Sequence, residues 1–300
     1  MDMTQNKCCR YGTNLRRRRR RCRKILRSII FSCSIIAVAV FVAVGSRMIT
    51  SGDGGTNRYD VEAGNNTYDN AVIENSKISE KNKIQNNQSM LDDIMNSTQY
   101  PKQLKDLALK NEEALEFVYD YPAEHVKEHT IDLTEEASMD SVPLFVQWDK
   151  RWGYEKYSGN FFAASGCGPT TLSMVVVYLT HDREASPIAV AKYSKEAGYS
   201  VDGSGSSWTL ISEGCMHYGV KAKAVALDES RMKAELDEGH PIVVNVGPGD
   251  FTDTGHFMVI TGYDDEGFSI NDPNSIEKSG KRWLFRNISS QIRAVWSMYV

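Results

Sequence analysis

The 300 residues could hold two domains, but charge and composition change too sharply along the chain for two similar units. Residues 1–28 contain eleven Lys or Arg and a single acid, a net charge of +10, whereas the whole chain carries −4. The remaining residues therefore carry −14. The arginine run at 16–21 has no aromatic or Gly-rich segment beside it, so we expect no nucleic-acid partner.

An uncharged stretch follows the basic segment. Residues 28–46 are rich in Ile, Val, Ala and Phe. As a helix they would span roughly 28 Å, about the thickness of a bilayer's hydrocarbon core. We predict a transmembrane signal-anchor helix at 29–46 in the cell membrane, with residues 1–28 cytoplasmic and everything after Arg47 extracytoplasmic. The alternative is a cleaved secretory signal, because residues 43–45 form a small-residue cleavage site, although the basic region is long for one.

Two segments separate this helix from the main domain. Residues 47–95 are rich in Asn, Ser, Gly, Asp, Glu and Lys and have almost no apolar periodicity, which predicts a disordered linker. Residues 96–140 are predicted to be a helical extension, in which Pro101 opens a helix and Pro122 ends it. The apolar face of that helix is formed by Leu104, Leu107, Ala108, Leu115 and Val118. Residues 130–141 are predicted to connect the extension to the main domain.

The main domain, residues 141–300, has an α+β pattern in which helices come first and strands later. Predicted helices cover residues 169–180, 187–197, 208–218 and 231–238. Predicted strands are β-branched or aromatic runs bounded by Gly, Pro, Asp or Asn, at residues 242–246, 256–263, 268–271 and 294–299. This order is typical of N-terminal helices packed on an antiparallel sheet.

One cysteine stands at the entrance of the first of these helices. Cys167 lies in the sequence SGCGPTT, residues 165–171, directly before an apolar run, and Pro169 fits a first helical turn. Unpaired N–H groups and the helix dipole lower the pKa of a thiol at that position, which would make Cys167 a nucleophile. The alternative is a small cysteine packed under a Gly-rich turn.

The other cysteines do not form a disulfide framework. Four of them belong to the cytoplasmic and membrane segments: Cys8, Cys9, Cys22 and Cys33. Cys167 and Cys215 would lie outside, where they either pair with each other or are both free, and Cys215 is predicted to be buried. Cys and His residues do not cluster at zinc spacing, and we expect no metal and no cofactor.

A histidine and a carboxylate are predicted to meet on the sheet. The acidic turn at 264–266 joins two predicted strands into a hairpin, which brings Asp272 to within about two positions of His256 across the ladder. His256 could then act as a base for Cys167, oriented by Asp272. Gln147 is a candidate oxyanion donor beside the backbone N–H of Cys167, although on spacing alone a surface glutamine fits equally.

Five blocks of the main domain resemble a known family in their order. They are PLFVQWDKRWGY (143–154), SGCGPT (165–170), GPGDFT (247–252), GHF (255–257) and NDPNS (271–275). Together they resemble the papain-like cysteine peptidases that process bacteriocins with double-glycine leaders, in their free-standing C39-like branch. The resemblance implies a papain-like fold with Cys167 as nucleophile, His256 as general base, Asp272 as the residue that orients it and, by weaker analogy, Gln147 as oxyanion donor.

The sequence departs from the papain pattern at one position. Gln147 precedes Cys167 by twenty residues rather than a few, which leaves the oxyanion role open to a backbone N–H. The transporter and ATPase domains of the leader-cleaving members have no counterpart in the sequence, so the resemblance does not imply a role in export.

The sequence therefore predicts a membrane-anchored extracytoplasmic cysteine peptidase that cleaves a peptide or protein substrate through an acyl-enzyme. One alternative keeps this chemistry but acts on a cell-wall peptide or isopeptide. Another alternative, of a different class, is a non-catalytic surface binding or sensor module with a cleft lined by Trp148, Trp152, Trp208 and Trp283. The presence of Cys, His and Asp together argues against that module. The sequence does not predict an oligomeric state.

Overall fold

Helices precede strands along the described part of the chain, which in this computed structural model comprises residues 66–300. Residues Asn70–Val300 form one compact unit. The expected α+β class is confirmed. The predicted membrane helix at 29–46 lies outside the described residues, and within them no helix is both long and apolar enough to cross a bilayer.

The helical extension begins earlier than the sequence predicts. Its helices are α1 (Asn66–Asn96), α2 (Lys102–Lys110), α3 (Leu115–Tyr119), α4 (Tyr121–Glu124) and α5 (Thr134–Ser138). The disordered linker predicted for residues 47–95 is therefore corrected from Asn66 onward. The C-terminal end of α1 buries Ile94 in a cluster with Leu104 and Val118. Tertiary contacts thus hold a helix whose own apolar pattern is weak.

The extension is also divided differently from the prediction. Instead of one helix from Pro101 to Pro122, the backbone of Asn111 is extended after α2, and a short 3-10 turn, Glu112–Ala114, precedes α3. Pro122 occupies the first turn of α4, where its missing N–H leaves no hydrogen bond unmade, so it does not end the helical region. The predicted connection at 130–141 contains α5.

The main domain adds further helices. They are α6 (Phe162–Ser165), α7 (Cys167–Thr180), α8 (Pro187–Glu196), α9 (Thr209–Ser212), α10 (Glu229–Asp237), α11 (Ile276–Ser279) and α12 (Phe285–Ile288). Short 3-10 turns follow α9 at Gly214–Tyr218 and α12 at Ser289–Gln291. Three predicted helices are confirmed as α7, α8 and α10, with ends that differ by about two residues at most. The helix predicted at 208–218 is split, because Glu213 leaves helical geometry between α9 and the turn.

A six-stranded antiparallel sheet forms the centre of the main domain. Two small hairpins precede it, β1 (Lys156–Tyr157) with β2 (Asn160–Phe161), and β3 (Ser200–Val201) with β4 (Gly205–Ser206). The strands of the main sheet are β5 (Lys221–Ala224), β6 (Ile242–Val246), β7 (His256–Asp264), β8 (Gly267–Asn271), β9 (Arg282–Trp283) and β10 (Ile292–Tyr299). They lie in the order β5-β10-β6-β7-β8-β9. The four predicted strands are confirmed as β6, β7, β8 and β10, and the two edge strands are additional.

Both faces of this sheet are covered. Successive residues of β6 point to opposite faces, so Val243 joins the core on one side and Val244 joins the core on the other. Helix α7 packs against β7 on the first side, and α10 contributes Met232 to the second. Because Cys167 begins α7 and His256 begins β7, this packing brings the two ends together.

Candidate active site

Cys167 is the first residue of α7, as the sequence predicts. Its glycine neighbours allow close packing at this point. A Cβ on Gly166 would lie 2.6 Å from the Phe162 ring, and a Cβ on Gly168 would lie 2.5 Å from Ser206 Oγ. Only glycine fits these positions without displacing those side chains, and Cys167 is a partly exposed residue that lines a cleft.

The hairpin of β7 and β8 brings a histidine to a carboxylate. His256 begins β7, and Asp272 follows directly after β8, whose last residue, Asn271, faces Val259. His256 Nε2 lies 2.7 Å from Asp272 Oδ1, and the two side chains are only 7% and 1% exposed. The juxtaposition predicted from the acidic turn is therefore confirmed.

The thiol of Cys167 and the imidazole of His256 stabilise each other's charged forms. Burial alone would raise the pKa of Cys167, but a hydrogen bond to His256, the charge of that ring and the N–H groups of Phe257 and Gly168 together lower it. Burial alone would lower the pKa of His256, but the charge and hydrogen bond of Asp272, with those of Cys167, raise it. Because Nε2 of His256 faces Asp272, Nδ1 is the nitrogen left for the thiol. This arrangement favours a thiolate and imidazolium pair.

The Asp272 carboxylate is held by its own loop. Besides facing His256, Oδ1 accepts a hydrogen bond of 2.8 Å from the backbone N–H of Asn274. The backbone N–H of Asp272 donates to Ser279 Oγ at 2.9 Å. Asp272 Oδ2 is buried with no hydrogen-bond partner among the described residues, so Oδ1 makes all the hydrogen bonds the structure gives to this carboxylate. The loop therefore fixes the orientation of the carboxylate.

Gln147 lies in the same cleft as Cys167 and His256. It is 4% exposed, so the alternative of a surface glutamine is wrong. Its Nε2 donates one hydrogen bond of 2.7 Å to the backbone O of Ala163, and its backbone N–H donates to Pro273 O at 2.7 Å. One Nε2 hydrogen is already used, and the second is the one that remains for a ligand in the cleft.

The cleft has a volume of about 500 Å³ and two walls. The loop after β6, with Asp250 and Asp253, forms one wall. Helix α2 of the extension forms the other, with Asp106, Leu107 and Lys110. The sequence gives no sign of this second wall, because it comes from a segment about 60 residues before Cys167 and depends on tertiary packing. A larger groove of about 830 Å³ runs along α1, but neither cysteine nor histidine lines it.

The remaining cysteine and the tryptophans lie outside this cleft. Cys167 and Cys215 are both free, and Cys215 is buried as predicted, so the alternative of a disulfide between them is wrong. The lining of the cleft, as far as the structure describes it, includes none of Trp148, Trp152, Trp208 and Trp283. In the described part of the chain no three His, Cys, Asp or Glu side chains are grouped so that they could hold a metal ion.

Comparisons with known proteins give a family for the chain. One similar solved structure is the peptidase domain of Streptococcus ComA, a bi-functional ABC transporter involved in a quorum-sensing pathway. It has 19% identity and a TM-score of 0.39, and the match covers 53% of this chain and 96% of that one. Another is a Bacillus anthracis protein described as a C39-like peptidase, with 18% identity, a TM-score of 0.33, and coverage of 53% and 95%. No curated protein matches the chain. The model of the Peptidase_C39 like family matches residues 139–300, more than half of the sequence, and the chain belongs to that family.

Proposed function

We propose that the protein is a membrane-anchored extracytoplasmic cysteine peptidase that hydrolyses peptide or amide bonds with Cys167, His256 and Asp272. The observation that carries the proposal is the contact of 2.7 Å between His256 Nε2 and Asp272 Oδ1. This pair lies beside Cys167, the first residue of α7. A free, partly exposed cysteine whose thiol has a lowered pKa is the nucleophile that this chemistry requires. Membership of a peptidase family supports the same reaction class.

The proposed reaction has two halves. The Cys167 thiolate attacks the carbonyl carbon of the substrate, and the His256 imidazolium then gives its proton to the leaving amine as the C–N bond breaks. A thioester between Cys167 and the acyl part of the substrate remains. His256, now neutral, takes a proton from water, the resulting hydroxide breaks the thioester, and the carboxylic acid leaves with the thiolate restored. Asp272 holds the imidazole ring in one orientation and stabilises its charged form in both halves.

Two donors are available for the oxyanion of each tetrahedral intermediate. The backbone N–H of Cys167 belongs to the first turn of α7, where N–H groups have no partner within the helix. The second Nε2 hydrogen of Gln147 is the other candidate, because its first is bound to Ala163. The bond to Ala163 fixes the amide, so the donor is already oriented when substrate binds.

The test of the function starts from a peptide library. The full-length protein is incubated with the library, cleavage is read by mass spectrometry, and a cleaved peptide then serves for kinetics. Cys167→Ala is expected to abolish turnover, and Asp272→Ala to lower kcat with little change in KM, because its interaction is made mainly in the transition state. His256→Ala combined with Asp272→Ala is expected to be scarcely worse than His256→Ala alone. Cys215→Ala, which changes a buried thiol away from the cleft, is the control and keeps turnover.

Three outcomes would contradict the proposal in different ways. Independent, multiplicative losses from His256→Ala and Asp272→Ala would mean that Asp272 does not act through His256. Cleavage of purified cell wall without cleavage of any library peptide would make the substrate a cell-wall peptide or isopeptide. Absence of cleavage of either substrate by folded protein would favour a binding module.

A further inference from the structure

The helical extension contacts the loop that carries Asp272. This extension precedes residues 139–300, which match the family. Between α2 and α3, the Glu113 carboxylate accepts hydrogen bonds from the backbone N–H of Ile276 at 2.7 Å and of Glu277 at 3.1 Å. It also accepts a hydrogen bond from the hydroxyl of Ser275. One side chain of the extension thus binds three consecutive residues just beyond Asp272.

Asn111 binds the same loop from two positions earlier in the chain. Its Nδ2 donates to the backbone O of Asn274 at 2.9 Å and to the side-chain Oδ1 of Asn274 at 3.1 Å. Its own Oδ1 accepts the backbone N–H of Glu113 at 3.0 Å. The Asn111 side chain is therefore fixed against the backbone of Glu113, and the two residues bind the same loop.

Hydrogen bonds connect the loop that Asn111 binds to Asp272 and His256. Asn274, which Asn111 binds, donates its backbone N–H to Asp272 Oδ1 at 2.8 Å. The same oxygen lies 2.7 Å from His256 Nε2. Two hydrogen bonds and one residue of backbone therefore separate the side chain of Asn111 from the carboxylate that faces His256.

We propose that Asn111 and Glu113 are positioning residues, which hold the loop at residues 272–275 so that the Asp272 carboxylate stays in contact with His256. The inference rests on the proposed function. The main domain also supports this loop: the backbone N–H of Gln147 donates to Pro273 O, Trp148 Nε1 donates to Asn274 O, and the backbone N–H of Asp272 donates to Ser279 Oγ. Without the extension, a buried carboxylate whose Oδ2 has no partner among the described residues would depend on those contacts and on its own loop.

Other ionisable groups surround the thiol of Cys167 and the imidazole of His256. The groups that line the cleft are Asp106 and Lys110 on α2, Asp250 and Asp253 after β6, and Lys278 on α11; burial and, to a smaller extent, the charge of Cys167 raise the pKa of Tyr157 on β1. The test variants leave all of them in place. Asn111→Ala removes no charge, so a change in the titration of Cys167 or His256 in that variant is attributed to the loop. Glu113→Ala removes one carboxylate, as the control Glu112→Ala also does.

The test follows the reaction of Cys167 with iodoacetamide in the full-length protein, from about pH 5 to about pH 9, and reads the modified Cys167 peptide by mass spectrometry. Glu113→Ala and Asn111→Ala are expected to lower the alkylation rate at about pH 6 by roughly three- to tenfold, because a displaced Asp272 stabilises the imidazolium less and the thiolate with it. Glu113→Gln, which keeps one acceptor oxygen, is expected to fall between wild type and Glu113→Ala. The matched control is Glu112→Ala, since Glu112 accepts a hydrogen bond of 2.7 Å from Asn87 on α1 instead of binding the loop, and it keeps the wild-type profile.

The imidazole titration of His256, followed by NMR, provides a second readout that does not depend on the thiol. Both Ala variants are expected to lower the pKa of His256, whereas Glu112→Ala leaves it unchanged. Wild-type profiles in folded Glu113→Ala and Asn111→Ala would overturn the positioning role. If Glu113→Ala does not fold, the comparison of Glu113→Gln with Glu112→Ala gives the same decision. If wild-type Cys167 reacts like an ordinary thiol, the proposed function fails, while the histidine titration still decides the positioning role.

Discussion

The two thiols of the described region have opposite surroundings. Burial raises the pKa of Cys215 to about 11, and its side chain is 0% exposed. At Cys167 the same effect of burial is outweighed by His256 and by the N–H groups of Phe257 and Gly168, so the pKa is lowered. Because the thiolate is the reactive form, the alkylation rates of the two residues are expected to differ by far more than their difference in solvent exposure alone would cause.

We predict that iodoacetamide modifies Cys167 faster than Cys215 by about two orders of magnitude or more at about pH 6. The measurement is quantitative mass spectrometry of the two peptides from folded protein. His256→Ala is expected to remove most of the difference, since the imidazolium would no longer stabilise the thiolate. Equal rates in the wild type would remove Cys167 as the nucleophile.

At the residue scale, the sequence predicts groups that lie close in the chain or across one turn. The position of Cys167 follows from a local motif, and the meeting of His256 with Asp272 follows from one acidic hairpin turn. The contacts of Asn111 and Glu113 with the loop at 272–275 do not follow from any local pattern. They span more than 160 residues and depend on how the extension packs.

At the scale of elements, the N-terminal end of α7 is packed so closely that Gly166 and Gly168 leave no room for a larger residue. A Cβ on Gly168 would lie 2.5 Å from Oγ and 2.7 Å from Cβ of Ser206, on β4. The Ser206 hydroxyl lies 2.6 Å from the hydroxyl of Tyr157. An added methyl group would have to displace β4 or the first turn of the helix.

We therefore predict that Gly168→Ala lowers the free energy of unfolding by about 1–3 kcal/mol and reduces the reactivity of Cys167, because the helix entrance moves. The control is Gly262→Ala in β7, where an added Cβ would meet no atom within 4 Å. Its expected change is within about 0.5 kcal/mol. Denaturant unfolding measures both. Equal stability of the two variants would show that β4 gives way without strain.

Helix α10 is joined to the sheet through Glu235. Its carboxylate accepts hydrogen bonds from Lys223 Nζ at 2.9 Å on β5 and from Ser297 Oγ at 2.8 Å on β10, and it lies 3.0 Å from His240 Nδ1. The hydrogen bonds to Lys223 and then His240 are the largest effects on this carboxyl, and together with Ser297 they lower its pKa to about 2 despite burial. The lowered pKa means that the charged carboxylate stabilises the fold above its ordinary titration range, and that this contribution is lost as pH falls toward about 2.

We predict that Glu235→Gln lowers the free energy of unfolding by about 1 kcal/mol at neutral pH, because the buried Ser297 hydroxyl and Lys223 lose a charged acceptor. The difference from wild type is expected to shrink as pH falls from about 4 toward about 2, because the carboxyl of the unfolded chain is protonated first and that of the folded protein only near its lowered pKa. Urea unfolding at several pH values measures it. Glu238→Gln, an exposed change just after the same helix, serves as the control. A difference that stays constant down to acid pH would contradict this role of the charge.

The elements that the sequence predicts well are those whose own residues decide their structure. β6, β7, β8 and β10 are apolar or β-branched runs, and α7 is an apolar helix with a clear beginning. β5, with the sequence KAKA, lies at the edge of the sheet and gives no apolar signal. Helix α1 has a polar sequence along most of its length, and its last turns meet the buried cluster around Ile94. Helix and strand propensity and apolar periodicity describe the local sequence, so they cannot predict elements that depend on tertiary contacts.

At the scale of the whole molecule, the extension and the family-matched domain share one core. Phe161 and Ala163 of the main domain pack in the same cluster as Leu104 and Phe117 of the extension. Helix α2 also forms a wall of the cleft. Because the extension contributes to core, cleft and loop, its removal is expected to affect the reactivity of Cys167 as well as stability.

The N-terminal 46 residues predict how the chain is oriented in the membrane. A basic segment of net charge +10 before an uncharged stretch predicts that residues 1–28 stay in the cytoplasm and that everything after Arg47 lies outside. Protease added to intact cells is expected to digest the main domain while a tag on residue 1 survives, and permeabilised cells are expected to lose both. Ile36→Arg with Val40→Arg is the matched variant, since each charge near the middle of the span costs about 2.5–3.5 kcal/mol on insertion, and its product is expected to leave the membrane fraction. Protection of the domain in intact cells, or its recovery in the medium without residues 1–45, would contradict the anchor and, in the second case, support the cleaved signal.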